Sequence, residues 1–387
     1  MPGQIFFGWG RRDQLPQVAA RIAKRAWIVS GSNTLNTNGV IDGILASLHQ
    51  DVVQATLLTT ICHEPEVRDV DDVTAKLLLS LSTSKPSASD VIIAVGGGSA
   101  IDLAKAVAAM ATNREGSSVV DYLEGVGRGF QLHQMPLPVI AVPTTAGTGS
   151  EATKNAVISS YDPPFKKSLR AETMVPRCVI WDPELTVSCP PSVTAHSGMD
   201  AITQLIESYI SRRSAPIPRG LVLSCLPGAF SSIVTAVEQP TDRAAREQMA
   251  QAAFLSGVSL ANSGLGLAHG VAAAFGSLAR VPHGLACAML LPTALKANRD
   301  VSKSDLALLS RVGLQRTFAD ESDAVDALIG HVESLLIRLK IPRRLSEIGV
   351  TASMIPALVQ GSHGNSLSGN PRDIGDDELS QILKEIL

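Results

Sequence analysis

Aromatic side chains are scarce in this sequence: Phe, Trp and Tyr together make up 4% of its 387 residues. So few rings leave little for the stacking platforms that bind single-stranded nucleic acid. An excess of one charge is lacking too. The 33 Lys and Arg stand against 36 Asp and Glu, for a formal net charge of −3, and such a balance offers no electrostatic footprint for nucleic acid or an anionic membrane surface. The five cysteines, Cys62, Cys178, Cys189, Cys225 and Cys287, are odd in number and contain no C-x-x-C pair. That pattern excludes a disulfide framework and a structural zinc knuckle, and fits a reducing cytoplasm. No uninterrupted apolar run approaches the ~18 residues of a membrane span, and the first residues lack the basic and apolar regions of a secretory signal. Internal repeats and low-complexity tracts are also missing. The expected partner is a small molecule, with no nucleic acid and no membrane.

What is present is a hydrophobic fraction of 45% and a length long for one core and comfortable for two domains. Short β-rich runs alternate with amphipathic ones from about residue 25. Arg25–Ser30, Val52–Leu58, Asp90–Val95 and Pro138–Val142 read as strands, the last two apolar enough to be buried on both faces. Between them Gln14–Lys24, Val40–His49, Val67–Ser82 and Ala100–Thr112 read as helices, which together predict a parallel sheet wrapped by helices. After Asp182-Pro183 the pattern changes. Pro191–Ser211, Leu221–Glu238, Asp242–Ser263, Leu265–Leu278, Gly284–Ala297, Ser304–Val312, Ser322–Leu339 and Asp376–Leu387 suit helices, and almost nothing suits a strand. The expectation is an α/β domain over residues 1–183 and an all-helical domain over 184–387, with ligands bound in a cleft between them.

Four stretches carry chemistry. The strand Asp90–Val95 runs into Gly96-Gly97-Gly98-Ser99 and a helix follows, so the turn is either a tight glycine turn or an anion seat with helix N–H groups behind it. The second stretch, Pro143-Thr144-Thr145-Ala146-Gly147-Thr148-Gly149-Ser150-Glu151, also follows a strand, and its hydroxyls suit either phosphate and ribose or local turns. Two such loops after parallel strands point to the sheet edge where α/β folds bind nucleotides. In the third, Gly198–Glu207, Asp200 and Gln204 lie four apart and share one helix face, where a buried carboxylate is a cap, an ion-pair partner or a metal ligand. The fourth, Gly264–Leu291, is almost free of charge yet holds two His-Gly pairs, His269-Gly270 and His283-Gly284. Pro282 breaks the helical pattern between them, so the histidines sit on different elements and can converge, either as satisfied core residues or as ligands.

In order, G-G-G-S-A-I-D, P-T-T-A-G-T-G-S-E, D-P-E-L-T, G-M-D-A-I-T-Q, L-A-H-G, V-P-H-G and a late G-N-P-R resemble the iron-containing (group III) alcohol dehydrogenases over nearly the whole chain. The resemblance implies an N-terminal nucleotide domain, a C-terminal metal domain, and reversible hydride transfer between a small alcohol or aldehyde and C4 of NAD or NADP. It makes Gly97, Gly98 and Ser99 pyrophosphate contacts, sets Thr144, Thr145 and Thr148 along the nicotinamide, and brings Lys167 toward the ribose or nicotinamide. Asp200, His269 and His283 become ligands of one divalent metal, Fe2+ or Zn2+, in what is expected to be a cytoplasmic homodimer.

The sequence departs from the family pattern at two positions. The usual second metal-ligand histidine is replaced by Gln204, a weaker neutral donor, so Gln204 joins the candidate ligands while affinity for iron is expected to fall. A further histidine found in many members is Ala273 here, which removes one candidate proton relay. His196 reads as a helix-start residue rather than a substitute ligand. Gly31 and Ser32 end the strand Arg25–Ser30 at the point where NAD-preferring proteins often place an aspartate against the 2′-phosphate, so NADP(H) is expected to be accepted at least as well as NAD(H). Two other readings remain open from the sequence: a lyase resembling 3-dehydroquinate synthase, and a nucleotide-binding relative that has lost its catalytic metal.

Overall fold

The protein is described here from a computed structural model that covers all residues except 52, 82–85 and 88. Val52 and Ser82, which open one expected strand and close one expected helix, therefore lie outside the described residues. The chain divides into two compact units, Met1–Thr145 with Ser150–Ser188, and Ala146–Gly149 with Cys189–Leu387.

In the first unit the strands are β1 (Gln4–Phe7), β2 (Arg25–Ser30), β3 (Gln54–Thr60), β4 (Asp90–Gly96), β5 (Val139–Pro143), β6 (Asn155–Tyr161), β7 (Pro164–Arg170) and β8 (Cys178–Trp181). Its helices are α1 (Leu15–Ile22), α2 (Asn33–Thr37), α3 (Val40–Gln50), α4 (Val67–Ser80) and α5 (Gly98–Thr112). Six strands form one parallel sheet in the order β1-β8-β5-β4-β2-β3. The runs V-I-I-A-V of β4 and V-I-A-V of β5 are buried throughout, as central strands covered on both faces require. Against them lies α5, whose residues Ala100–Ala111 are all buried. Six of those twelve positions are alanine, which lets the helix approach its neighbours closely. The sequence reading missed β1, β8 and the antiparallel hairpin β6–β7.

The second unit is helical among its described residues: α6 (Pro191–Ile210), α7 (Pro216–Glu238), α8 (Arg243–Ser263), α9 (Leu267–Ala279), α10 (His283–Ala297), α11 (Lys303–Gly313), α12 (Glu321–Arg338), α13 (Ile355–Ser362) and α14 (Asp376–Glu385). Helix α7 is long and apolar enough to cross a membrane by length and composition. Its apolar residues Val222, Leu226, Ala229, Phe230 and Ile233 are instead buried in the helical core, and Pro227 lies within the helix. Helix α6 is buried from Gly198 to Ile210, so the Gly198–Glu207 motif occupies the middle of this unit's core.

Several motif residues act as structural joints within the first unit. Asp182 accepts hydrogen bonds from the Gly10 and Arg12 amides at 2.9 and 3.2 Å, tying the chain's beginning to the end of β8. Asp102 accepts from the Val157 amide at 3.0 Å and from Ser150 Oγ, joining α5 to β6 and to the end of the second loop. Buried Lys105 is held by the Ser150 carbonyl at 2.8 Å and by Asp102 at 3.1 Å.

Candidate metal centre and nucleotide seat

Helix α6 places Asp200, Gln204 and Glu207 on one side, because residues at i, i+4 and i+7 stack along a helix face. All three are buried, Asp200 to 1% and Glu207 to 2% exposure. An unpartnered buried polar group costs about 1–3 kcal/mol, so the partners of this stripe show what it does.

Glu207 has two tasks. Its carboxylate accepts from the amides of Gly266, Ala268 and His269 at 3.2, 2.6 and 3.3 Å. Those groups form the N-terminus of α9, where a negative charge meets free N–H groups and the positive end of the helix dipole. Asn370, from the late G-N-P-R motif, accepts the remaining Leu267 amide at 3.2 Å. Glu207 Oε2 also lies 2.7 Å from His269 Nδ1, a contact in which the ring nitrogen donates and which therefore fixes the tautomer.

The ring so held presents its other nitrogen, Nε2, 3.2 Å from Asp200 Oδ1. Two electron-pair donors this close require a proton or a cation beside them. Burial works against a charged imidazole, yet Cys287, Asp200 and Glu207 together outweigh it and hold the His269 pKa well above 6.5. Burial likewise pushes the Asp200 carboxyl up, but the hydrogen bond to His269 and the nearby His283 overcome it and carry the group below its ordinary value. Surroundings that stabilise a proton here also stabilise a divalent cation.

His283 arrives from a different element. It is the first residue of α10, after Pro282, and its ring meets that of His269 with centroids 5.5 Å apart at 62°. The glycine that follows has a steric reason: a Cβ on Gly284 would stand 2.6 Å from the His196 carbonyl oxygen and 3.4 Å from Asp200 Cβ. One turn further along α10, Cys287 Sγ lies 3.6 Å from His283 Nε2. Donor atoms of Asp200, His269, His283 and Cys287 all lie within 4.8 Å of one another. One carboxylate, two imidazoles and a thiol, with Glu207 behind one imidazole, fit a divalent metal ion.

Gln204 shares the helix face, but its amide is engaged elsewhere. Oε1 accepts from Ser256 Oγ at 2.6 Å, and Nε2 donates to the Thr148 carbonyl at 3.4 Å. The sequence reading missed Glu207 and Cys287 as parts of the centre. Helical spacing carried a signal for each: Glu207 stands seven residues after Asp200, and Cys287 four after His283.

In the first unit the glycine turn and its neighbours come together. A Cβ on Gly31 would lie 2.6 Å from Gly96 Cα, and one on Gly97 would lie 2.8 Å from Thr145 Oγ1. The Thr144 amide donates to the Gly96 carbonyl at 3.0 Å. Gly97 caps α5 without a side-chain hydrogen bond, so Gly98 and Ser99 open the helix, as an anion seat at a helix N-terminus requires. Ser32 Oγ accepts from the Leu35 amide at 3.3 Å and caps α2 beside this turn. Thr148 belongs to the other unit, and Lys167 stands on the separate hairpin opposite Ile158.

Residues 2–183 match the family model for iron-containing alcohol dehydrogenase, and residues 194–387 match the C-terminal model of the Fe-containing alcohol dehydrogenase family. The chain belongs to the iron-containing alcohol dehydrogenase family. It is 34% identical to "Probable alcohol dehydrogenase EutG" of Escherichia coli (strain K12), over 98% of this chain and 92% of the relative. It is 29% identical to an NADPH-dependent butanol dehydrogenase of Clostridium saccharobutylicum, over 99% and 96% of the two chains. The crystal structure of a 1,3-propanediol oxidoreductase superposes with a TM-score of 0.91 at 27% identity, covering 100% of this chain and 98% of that one. As a member of the family the chain is a metal-dependent NAD(P) oxidoreductase acting on the CH–OH group of small alcohols, or on the matching aldehydes. The lyase-type and catalytically silent readings give way to this one.

Proposed function

We propose that Asp200, His269 and His283 hold the divalent ion, and that Gly31, Gly97, Gly98, Ser99, Thr144 and Thr145 form the dinucleotide seat, with Ser32, Thr148 and Lys167 as further cofactor contacts. In this reading residues 1–183 are the nucleotide domain and residues 184–387 the metal and substrate domain. The observation that carries it is His269 fixed through Nδ1 by Glu207 while Nε2 faces Asp200 Oδ1. A buried, pre-oriented nitrogen aimed at a carboxylate supports ligation, because the pair needs a proton or a cation between its lone pairs. When bound, the ion supplies a Lewis acid that polarises a carbonyl oxygen or lowers the pKa of an alcohol. The protein's own part is to hold three donors converging without reorganisation, and to keep Glu207 behind His269. At the other seat the open N–H groups of α5 take the pyrophosphate charge.

The cofactor preference follows from the turn after β2. Gly31 lies so close to Gly96 that no side chain fits there without moving backbone. A carboxylate that would repel a 2′-phosphate is thus excluded at this position, and the Ser32 hydroxyl, accepting from Leu35, retains its own hydrogen to donate. Steady-state oxidation of a panel of small primary alcohols is expected to reduce NADP+ and NAD+ with kcat/KM for the phosphorylated cofactor at least equal to that for the other. A value for NADP+ more than about tenfold lower, ~1.4 kcal/mol, overturns the preference. Reduction of neither cofactor, with any alcohol or in the aldehyde direction, overturns the proposed function.

A further inference from the structure

We infer that Cys287, as a thiolate, is the fourth protein donor of the metal centre in place of Gln204, and that the centre therefore favours zinc over iron. The inference rests on the proposed assignment of Asp200, His269 and His283 and adds a ligand that the sequence motif does not contain.

Geometry is the first argument. Zinc binds nitrogen and oxygen at about 2.0–2.1 Å and thiolate sulfur at about 2.3 Å, so a tetrahedral site has nitrogen–oxygen edges of about 3.3 Å and nitrogen–sulfur edges of about 3.6 Å. The protein shows His269 Nε2 to Asp200 Oδ1 at 3.2 Å and His283 Nε2 to Cys287 Sγ at 3.6 Å. All four donors are already within 4.8 Å of one another. His283 and Cys287 also share a helix face four residues apart on α10, the spacing at which two side chains reach one point.

The alternative fourth donor is occupied. Gln204 Oε1 takes the Ser256 hydroxyl at 2.6 Å, and its amide nitrogen reaches the Thr148 carbonyl. Turning it toward the ion would break both contacts, though Ser256 Oγ would keep its hydrogen bond to the Ala253 carbonyl at 2.8 Å. Cys287 faces the other donors without any such rearrangement.

Chemistry sets the preference. A set of one oxygen, two nitrogens and one sulfur is softer than the family's histidine-rich set, and thiolate suits zinc over ferrous iron. On binding, the thiol proton leaves to solvent as the metal–sulfur bond forms, and no electron is transferred. Four protein donors still admit a substrate, since catalytic zinc expands to five-coordination.

Cobalt(II) reconstitution tests this apart from turnover. Metal-free protein is titrated with Co2+ and followed by native mass spectrometry and absorption. One Co2+ per chain with a sulfur-to-cobalt charge-transfer band in the near ultraviolet is expected for the wild type. Cys287→Ser is expected to lose that band while still binding Co2+, and to bind Zn2+ at least tenfold more weakly, the low end of what removing even an outer partner of a ligand costs. Gln204→Leu is expected to keep the band. Co2+ bound by the wild type without the band, or a band that persists in Cys287→Ser, overturns the inference and leaves the proposed function standing. No Co2+ bound by the wild type overturns the metal centre itself. If Cys287→Ser does not fold, the wild-type spectrum alone decides.

Discussion

Replacing His283 by alanine is expected to lower kcat/KM by ~10³-fold or more, because loss of a donor removes the several kcal/mol that a bound divalent ion contributes at the transition state. Two observations set the size of the effect. His283 opens α10, whose Gly284 packs closely on His196 of α6, so its position is set by helix packing. Its Nε2 also lies 3.6 Å from Cys287 Sγ, so its loss leaves the donors of α10 reduced to one. NADP+ binding measured by calorimetry is expected to change by less than about twofold, since the glycine turn belongs to the other unit. Wild-type turnover in His283→Ala contradicts the assignment, and loss of cofactor affinity together with activity points instead to a global folding defect.

Glu207→Ala is expected to have the second largest effect, and it separates support of a ligand from ligation itself. Glu207 lies behind His269, so its removal frees the ring to rotate and is expected to weaken metal binding by about 10–100-fold. The same carboxylate caps α9 through three amides, which alanine leaves buried and without an acceptor. Breaking a buried, charge-assisted network of this kind costs about 3–5 kcal/mol of folding stability. Thermal melts with and without added Zn2+ measure both effects. The variant is expected to melt lower in each condition and to gain less from zinc than the wild type at equal concentration. An unchanged melting temperature combined with unchanged metal affinity removes Glu207 from the account.

Most of the fold could be read from the sequence where burial was one-sided or complete. β4 and β5 are continuous apolar runs ending in glycine or proline, and the long helices of the second unit carry their period over many turns. Shorter or mixed elements could not be read that way. β1 and β8 have four residues each, too few to show a period, and β7 reads P-F-K-K-S-L-R, whose paired lysines conceal a strand in a two-stranded hairpin. α13 contains Pro356 and Gly361, which hide it among turn signals.

The centre divides in the same way. His269 and His283 stood out because a charge-poor segment gives a histidine few reasons to be buried, and the break at Pro282 allowed the two to converge. Glu207 acts through the N-terminus of α9, Gln204 is taken by Ser256 of α8, and Cys287 matters only because α10 packs against α6. Helical spacing puts Glu207 on the face of Asp200 and Cys287 on that of His283, but each of these roles depends on contact between helices far apart in sequence, which spacing does not show.

The most direct test of the account is the metal content of protein purified without chelators, read beside its activity. Close to one divalent ion per chain is predicted, with alcohol oxidation falling as a chelator removes the ion and returning on addition of Zn2+ or Fe2+. Full activity in protein shown by mass spectrometry to be metal-free would contradict it.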